Sequence, residues 1–226
     1  MESIPCQGDK RKAKITVMVN KVIDILKEVG AVLVESHFVG TSGLHFDTYV
    51  NKDFLYPHTK ETSEIGKIFA EKYKDANIEI VVGPALGGII LSQWTAYHLS
   101  DIYSKEVLGI YTEKSQDGEQ IFTRGYGDFI KGKRVLIVED ITTTGGSMLK
   151  TAKAVADAGG ILISACAMVN KNKDLNSDKL GIPFDFLSEL YVTTYEAKDC
   201  SLCKSNIPIN TKVGHGKEFL IKRKEG

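Results

Sequence analysis

No stretch of about 18 apolar residues occurs in this 226-residue chain, and that lack removes a membrane-spanning helix from the expected architectures. Excess charge of either sign is missing too. The 29 Lys and Arg balance 29 Asp and Glu for a formal charge of zero, so composition argues for no nucleic-acid partner and no anionic membrane surface. Cysteine is scarce: Cys6, Cys166, Cys200 and Cys203 are too few to staple a chain of this length. The segment from Met1 to Lys14 is polar and basic without the apolar centre of a signal peptide, which makes a cytoplasmic location the expectation. Internal repeats and low-complexity tracts are lacking as well. What remains is a chain long enough to bury the core of one α/β domain, with small N-terminal or C-terminal elaborations.

Hydrophobic periodicity predicts alternating helices and strands. Val19, Val22, Ile23, Leu26 and Val29 lie close to helical spacing within Lys14 to Val29, and Gly30 supplies a stop. Strands are predicted at Ala31–Val34 and around Thr48–Val50, then a helix at Thr62–Lys74, a strand at Ile78–Val82, a helix at Gly87–Leu99 and a strand at Glu106–Tyr111. A strand at Val135–Val138, a helix at Met148–Ala158 and a strand at Ile161–Val169 complete the series. Strands separated by helices imply right-handed crossovers and a mainly parallel central sheet flanked by helices. Between Thr112 and Lys133 the chain carries many charges and four glycines, a connection too long to be routine; it reads as a flexible lid.

The chemistry concentrates in Val135-Leu136-Ile137-Val138-Glu139-Asp140-Ile141-Thr142-Thr143-Thr144-Gly145-Gly146-Ser147. Four aliphatic residues without alternation predict a strand covered on both faces. Its carboxyl end is where open α/β sheets hold ligands. Thr142, Thr143, Thr144 and Ser147 offer hydroxyls, Gly145 and Gly146 let the backbone approach an anion, and the following helix turns its positive end toward it. Two carboxylates beside a phosphate repel it unless they do other work. Ribose hydroxyls on Glu139 and Asp140, with a 5-phosphate on the turn, give one consistent ligand. Gly83-Pro84-Ala85-Leu86-Gly87-Gly88 is a second strand end running into a glycine-rich turn and a helix start, suited to a leaving pyrophosphate.

Glu139 to Ser147 resembles the phosphoribosyl pyrophosphate (PRPP) signature of the type I phosphoribosyltransferases. Other stretches resemble orotate phosphoribosyltransferase in particular: Ile25 to Val32 its opening helix and strand, Ser42 to Asn51 its Ser-Gly segment beside the nucleobase, and Val82 to Ile89 its pyrophosphate loop. The likeness runs from about residue 20 to about residue 170. It implies one phosphoribosyltransferase domain over residues 1–226, with N-terminal hood elements in 1–50, the lid at 112–133 and a C-terminal tail at 198–226. It further implies transfer of ribose 5-phosphate from PRPP to a nucleobase, Mg2+ carried mainly by PRPP, and a homodimer whose lid closes over the partner's site. In that reading Asp140 and Lys114 are catalytic, residues Glu139 to Ser147 hold PRPP, and Tyr49, Thr143 and Lys171 lie by the nucleobase.

Departures from the family pattern bear on the acceptor. Thr41 stands where a lysine usually precedes Ser-Gly, the lid run Glu113 to Gln120 matches only Lys114 of a Lys-rich, His-containing motif, and Lys171 stands for an arginine. Orotate is a carboxylate, so fewer cations mean fewer charge-assisted hydrogen bonds. Either Lys105, Lys114, Arg124, Lys131 or Lys171 compensates, or another purine or pyrimidine base is the acceptor; a PRPP-sensing regulator without turnover is the third alternative, and no helix-turn-helix precedes Ser42 to support it.

Some residues receive plainer readings. His37, His45 and His58 read as surface or hydrogen-bonded histidines, and Trp94 as packing. Cys200 and Cys203 have metal-ligand spacing, but zinc needs four ligands, so His215 or a second chain would have to complete a site; two reduced thiols are the simpler expectation. The tail from Lys204 onward has no reading.

Overall fold

The computed structural model describes residues 21–40 and 42–225; Cys6, Thr41 and the start of the first predicted helix lie outside the described residues. Helix α1 is described over 21–28. Strands β1 (Val32–Leu33), β2 (Phe38–Val39), β3 (His45–Phe46) and β4 (Tyr49–Val50) follow, then α2 (Thr59–Tyr73), β5 (Ile80–Pro84), α3 (Gly87–Tyr103), β6 (Leu108–Lys114) and β7 (Gln120–Ile121). The chain continues through β8 (Arg134–Thr142), α4 (Gly146–Asp157), β9 (Ile161–Asn170), α5 (Ser177–Leu180), β10 (Phe184–Glu189), α6 (Ser201–Lys204) and α7 (Gly216–Glu225).

A six-stranded sheet forms the centre in the order β10-β9-β8-β5-β6-β7. Its pairings are parallel except at the edge, where β7 runs antiparallel to β6. Val135, Leu136, Ile137 and Val138 are fully buried in β8, as their unbroken apolar run requires. One face packs Val81, Leu136 and Val138 under Ile65, Phe69, Leu91 and Leu99 of α2 and α3. The other packs Ile80, Val135 and Ile137 under Met148 and Val155 of α4 and Leu180 of α5. At ~1.5–3 kcal/mol per fully buried aliphatic side chain, these two layers supply the main drive to fold.

The order of strands decides where a ligand goes. From β5 the chain first steps outward to β6, then returns to place β8 on the opposite side of β5. The carboxyl ends of β5 and β8 therefore diverge at a topological switch point, the place at which open α/β sheets leave a crevice.

Several elements outrun the sequence reading, and one segment changes character. Helix α2 begins at Thr59 and α3 ends at Tyr103, where Ser104 takes a left-handed conformation (φ 50°) as the cap. Strand β6 continues through Lys114 and turns back as β7, so residues 112–133 begin as a hairpin and contain a 3-10 turn at Tyr126–Phe129. The buried Thr112 hydroxyl donates to Gln120 Oε1 at 2.8 Å across that hairpin, and Lys150 Nζ donates to the Gly118 carbonyl at 2.5 Å. Local charge and glycine content hid this pairing, because the strands are only two residues deep on the β7 side.

The hood and the tail fold together. β1 pairs antiparallel with β4 and β2 with β3, and Tyr195 and His45 exchange backbone hydrogen bonds of 2.8 and 2.9 Å. Farther along, Asn210 N donates to the His37 carbonyl (2.7 Å) and His215 N to that of Val39 (2.9 Å). No helix among the described residues is long and apolar enough to cross a membrane.

Candidate active site

A cavity of about 360 Å³ opens at the switch point, and its lining unites Tyr49 to Asp53 of the hood, Ala85 to Gly87 after β5, and Glu139, Asp140, Ile141 and Ser147 at the end of β8. The hood tyrosine, the glycine-proline turn and the two acids singled out in the sequence thus share one space. Thr142 lies just behind that lining: it is buried, and its Oγ1 accepts from Gly145 N at 3.1 Å, bracing the turn. Gly146 N donates to Thr144 Oγ1 at 3.4 Å. The strand next door holds the turn in place, since Lys171 N donates to the Thr142 carbonyl (2.8 Å) and Asn172 Nδ2 to that of Thr143 (2.9 Å).

Two close contacts explain why positions 87 and 145 carry no side chain. At Gly87 an added Cβ would stand 1.5 Å from Asp140 Oδ2, so the β5 turn and the β8 acid fit only without it. Gly145 has φ +77°, and a Cβ there would also meet Leu180 Cδ2 at 2.3 Å.

The acids are buried, with Glu139 7 % and Asp140 3 % exposed. Asp140 Oδ2 accepts from Lys52 Nζ at 2.5 Å and from the Tyr56 hydroxyl at 2.9 Å. Lys52 is the one cationic side chain lining the cavity among the described residues. Burial pulls its ammonium down, yet the hydrogen bond and charge of Asp140, with Asp53 and Glu139 behind, leave it raised. Burial also raises the Tyr56 phenol, helped by the Asp140 charge, so this hydroxyl stays a donor. Lys52 and Tyr56 escaped the sequence reading because each meets Asp140 only through folding. The one signal was Lys52's place beside the Ser42 to Asn51 segment.

Glu139 stands apart from this pairing. Burial first, then the Asp140 charge, hold its carboxyl well above the usual carboxylate range, against the smaller pull of the Asp140 N–H and Lys52. A carboxyl raised in the folded state loses stability as pH climbs from the unfolded value near ~4.3 toward the folded one, and the native state bears the cost at neutral pH. Glu139→Gln keeps an oxygen for the Asp140 N–H, now 3.0 Å from Oε1. It should raise the neutral-pH Tm by about 2–4 °C for each ~1 kcal/mol relieved. The gain should shrink as pH falls below the unfolded value and vanish near pH ~3, where Glu139 is protonated in both states. Melting curves at the two pH values check this; equal Tm for both proteins at neutral pH would refute it.

The remaining candidates sit elsewhere. Lys114 is exposed at the end of β6, paired with Gln120, and does not line the cavity. Lys171 is half-buried just past β9, and burial lowers its ammonium, but it too lies outside the lining. Arg124 faces Glu113 at 3.4 Å on the surface.

Residues 52–184 match the model of the phosphoribosyl transferase domain. An orotate phosphoribosyltransferase of Caldanaerobacter subterraneus subsp. tengcongensis is 37% identical over 84% of this chain and 94% of its own. Among solved structures, orotate phosphoribosyltransferase from Aeropyrum pernix is 27% identical over 74% of this chain and 92% of its own, with a TM-score of 0.59. The Mycobacterium tuberculosis H37Rv orotate phosphoribosyltransferase, solved in complex with 5-phospho-alpha-D-ribosyl 1-diphosphate, shares the fold at 21% identity over 75% of this chain and 96% of its own, with a TM-score of 0.56. The chain belongs to the phosphoribosyltransferases, in their orotate phosphoribosyltransferase branch.

Proposed function

We propose that the protein transfers ribose 5-phosphate from PRPP to orotate, giving orotidine 5′-monophosphate and pyrophosphate in pyrimidine biosynthesis. The observation that carries this reading is the meeting of the glycine-rich turn after β5, the acid pair of β8 and Ser147 at the start of α4 in one crevice at the switch point. A ring nitrogen of the base, giving up its proton to solvent, attacks C1 of the ribose while the C1–O bond to pyrophosphate breaks and its electron pair leaves with the pyrophosphate. Positive character grows on C1 and negative charge on the leaving group, so the protein's work is positioning and charge stabilisation. Glu139 and Asp140 would accept from ribose hydroxyls, residues Thr142 to Ser147 would cradle the 5-phosphate at the start of α4, and the turn Gly83 to Gly88 with the start of α3 would face the pyrophosphate. Tyr49 and Lys52 line the same cavity; Tyr49 would border the base, and Lys52 would supply the cation that a carboxylate-bearing base or pyrophosphate calls for.

Mg2+ fits this donor set: the cavity offers hard carboxylate oxygens, with Asp140 already engaged by Lys52, and so suits an ion held mainly by phosphates and water. When bound it would neutralise charge on the leaving pyrophosphate. Release of pyrophosphate from PRPP with orotate, uracil, hypoxanthine, guanine, xanthine and adenine in parallel tests the proposal. Turnover with orotate alone is expected; turnover only with another base would make the protein a salvage enzyme, and PRPP binding without turnover a sensor.

The lid and assembly belong to the same reading, with the protein a cytoplasmic homodimer. Lys114 would reach a partner's site and act as charge develops in the transition state. Lys114→Ala should therefore lower kcat more than it raises KM for PRPP, on a protein that light scattering finds dimeric. A monomer with wild-type rates would remove both halves of this expectation.

A further inference from the structure

The hood and the tail meet at four side chains that the transferase reading leaves without a task. His37, His45, Cys200 and Cys203 present one ligand atom each, all within 4.8 Å of one another. His37, His45 and Cys200 are buried and Cys203 is half-buried. All four lie outside residues 52–184, the span of the family match. We propose that they form a structural zinc site of the Cys2His2 type, tying the tail to the hood.

Distances and chemistry agree. Tetrahedral zinc, with Zn–S of ~2.3 Å and Zn–N of ~2.0–2.1 Å, spaces its ligand atoms about 3.3 Å apart for N and N, about 3.5 Å for N and S and about 3.8 Å for S and S. Here Cys200 Sγ is 3.6 Å and Cys203 Sγ 3.8 Å from His37 Nε2, and Cys203 Sγ is 3.4 Å from His45 Nδ1. The two histidine nitrogens stand 2.7 Å apart, a hydrogen-bond distance that opens slightly when an ion replaces the shared proton. His37 Nδ1 lies 2.8 Å from the Ile207 carbonyl, an outer contact of the kind that turns Nε2 and its lone pair toward a metal. Two thiolates and two neutral imidazoles neutralise a divalent ion, so a buried site carries no net charge, and soft sulfur ligands favour zinc over Mg2+. Binding releases the two thiol protons to solvent. A cavity of about 510 Å³ reaches His37 and Cys203 and gives an ion a path in.

Topology supplies the reason for such a clamp. His37 immediately precedes β2 and His45 opens β3, whereas Cys200 caps α6 and Cys203 lies within it, so contacts between the pairs span more than 150 residues of chain. A cross-link closing so long a loop removes much of the entropy that would otherwise free the tail. Four protein ligands close the coordination sphere, which marks a structural site rather than a catalytic one.

The test uses the full chain without a metal-binding tag, purified under reducing conditions and given one equivalent of zinc. Elemental analysis after desalting should find one zinc per chain, and cobalt substitution should give the strong visible bands and thiolate charge transfer of tetrahedral Co2+. Cys200→Ser with Cys203→Ser should abolish both signals. Because that variant can fail to fold, the wild type is also stripped with a chelator: Tm should fall and return on adding zinc. Wild-type protein that holds no zinc, a six-coordinate cobalt spectrum, a Tm indifferent to the chelator, or a double variant that keeps its zinc would each overturn the site.

Discussion

Gly87→Ala is expected to cut kcat/KM for PRPP by at least about 100-fold, the scale of loss when a catalytic group moves by ~1 Å. The new methyl would stand 1.5 Å from Asp140 Oδ2, 2.5 Å from its Cγ and 2.5 Å from the Tyr56 hydroxyl. None of these can give way without leaving another, since Oδ2 already accepts from both Lys52 and Tyr56. Asp140 must therefore swing out of the crevice. Overpacking of this kind also costs about 1–3 kcal/mol of stability. Gly146→Ala serves as the control for stability, because a Cβ there meets nothing closer than Thr144 Oγ1 at 3.5 Å. Steady-state kinetics with thermal melts of both variants decide the matter: a Gly87→Ala enzyme with wild-type kcat/KM would show that the close fit of turn and acid has no part in catalysis.

Asp140→Asn should lower kcat/KM by roughly tenfold to a thousandfold, the range for one or two charged hydrogen bonds of about 1.5–3 kcal/mol each. The amide keeps the shape of the side chain and one accepting oxygen. It loses the charge that Lys52 answers and that ribose hydroxyls would meet. Folding should survive, because Tyr56 can still donate to the amide oxygen. Unchanged kinetics in a folded Asp140→Asn protein would mean that the acid pair is not part of the reaction.

Legibility followed the range of the interactions. β8 was plain because four aliphatic residues in succession have one stable setting, a strand covered on both faces, and its acids and hydroxyls are neighbours in the chain. The hairpin of β6 and β7 was missed because its pairing is short and its residues are charged. The histidines were read as surface or hydrogen-bonded; His37 and His45 are hydrogen-bonded to each other at 2.7 Å, but at 1 % and 0 % exposed they are not on the surface, because the tail that buries them arrives from residue 195 onward. His215, the local candidate for completing the cysteine pair, instead uses its backbone N–H on Val39 and stays outside the cluster.

By itself, then, the sequence determined the α/β alternation, the two anion-suited turns and the acid pair, because periodicity and short motifs act between residues a few positions apart. Only the tertiary structure decided that those turns face one another across the switch point, that Lys52 and Tyr56 hold Asp140, and that His37 and His45 join Cys200 and Cys203. Lys52 and Asp140 are 88 positions apart, His37 and Cys200 163. Contacts at such separations leave no periodic trace in the chain; they exist because strand order and the burial of two sheet faces bring those segments together.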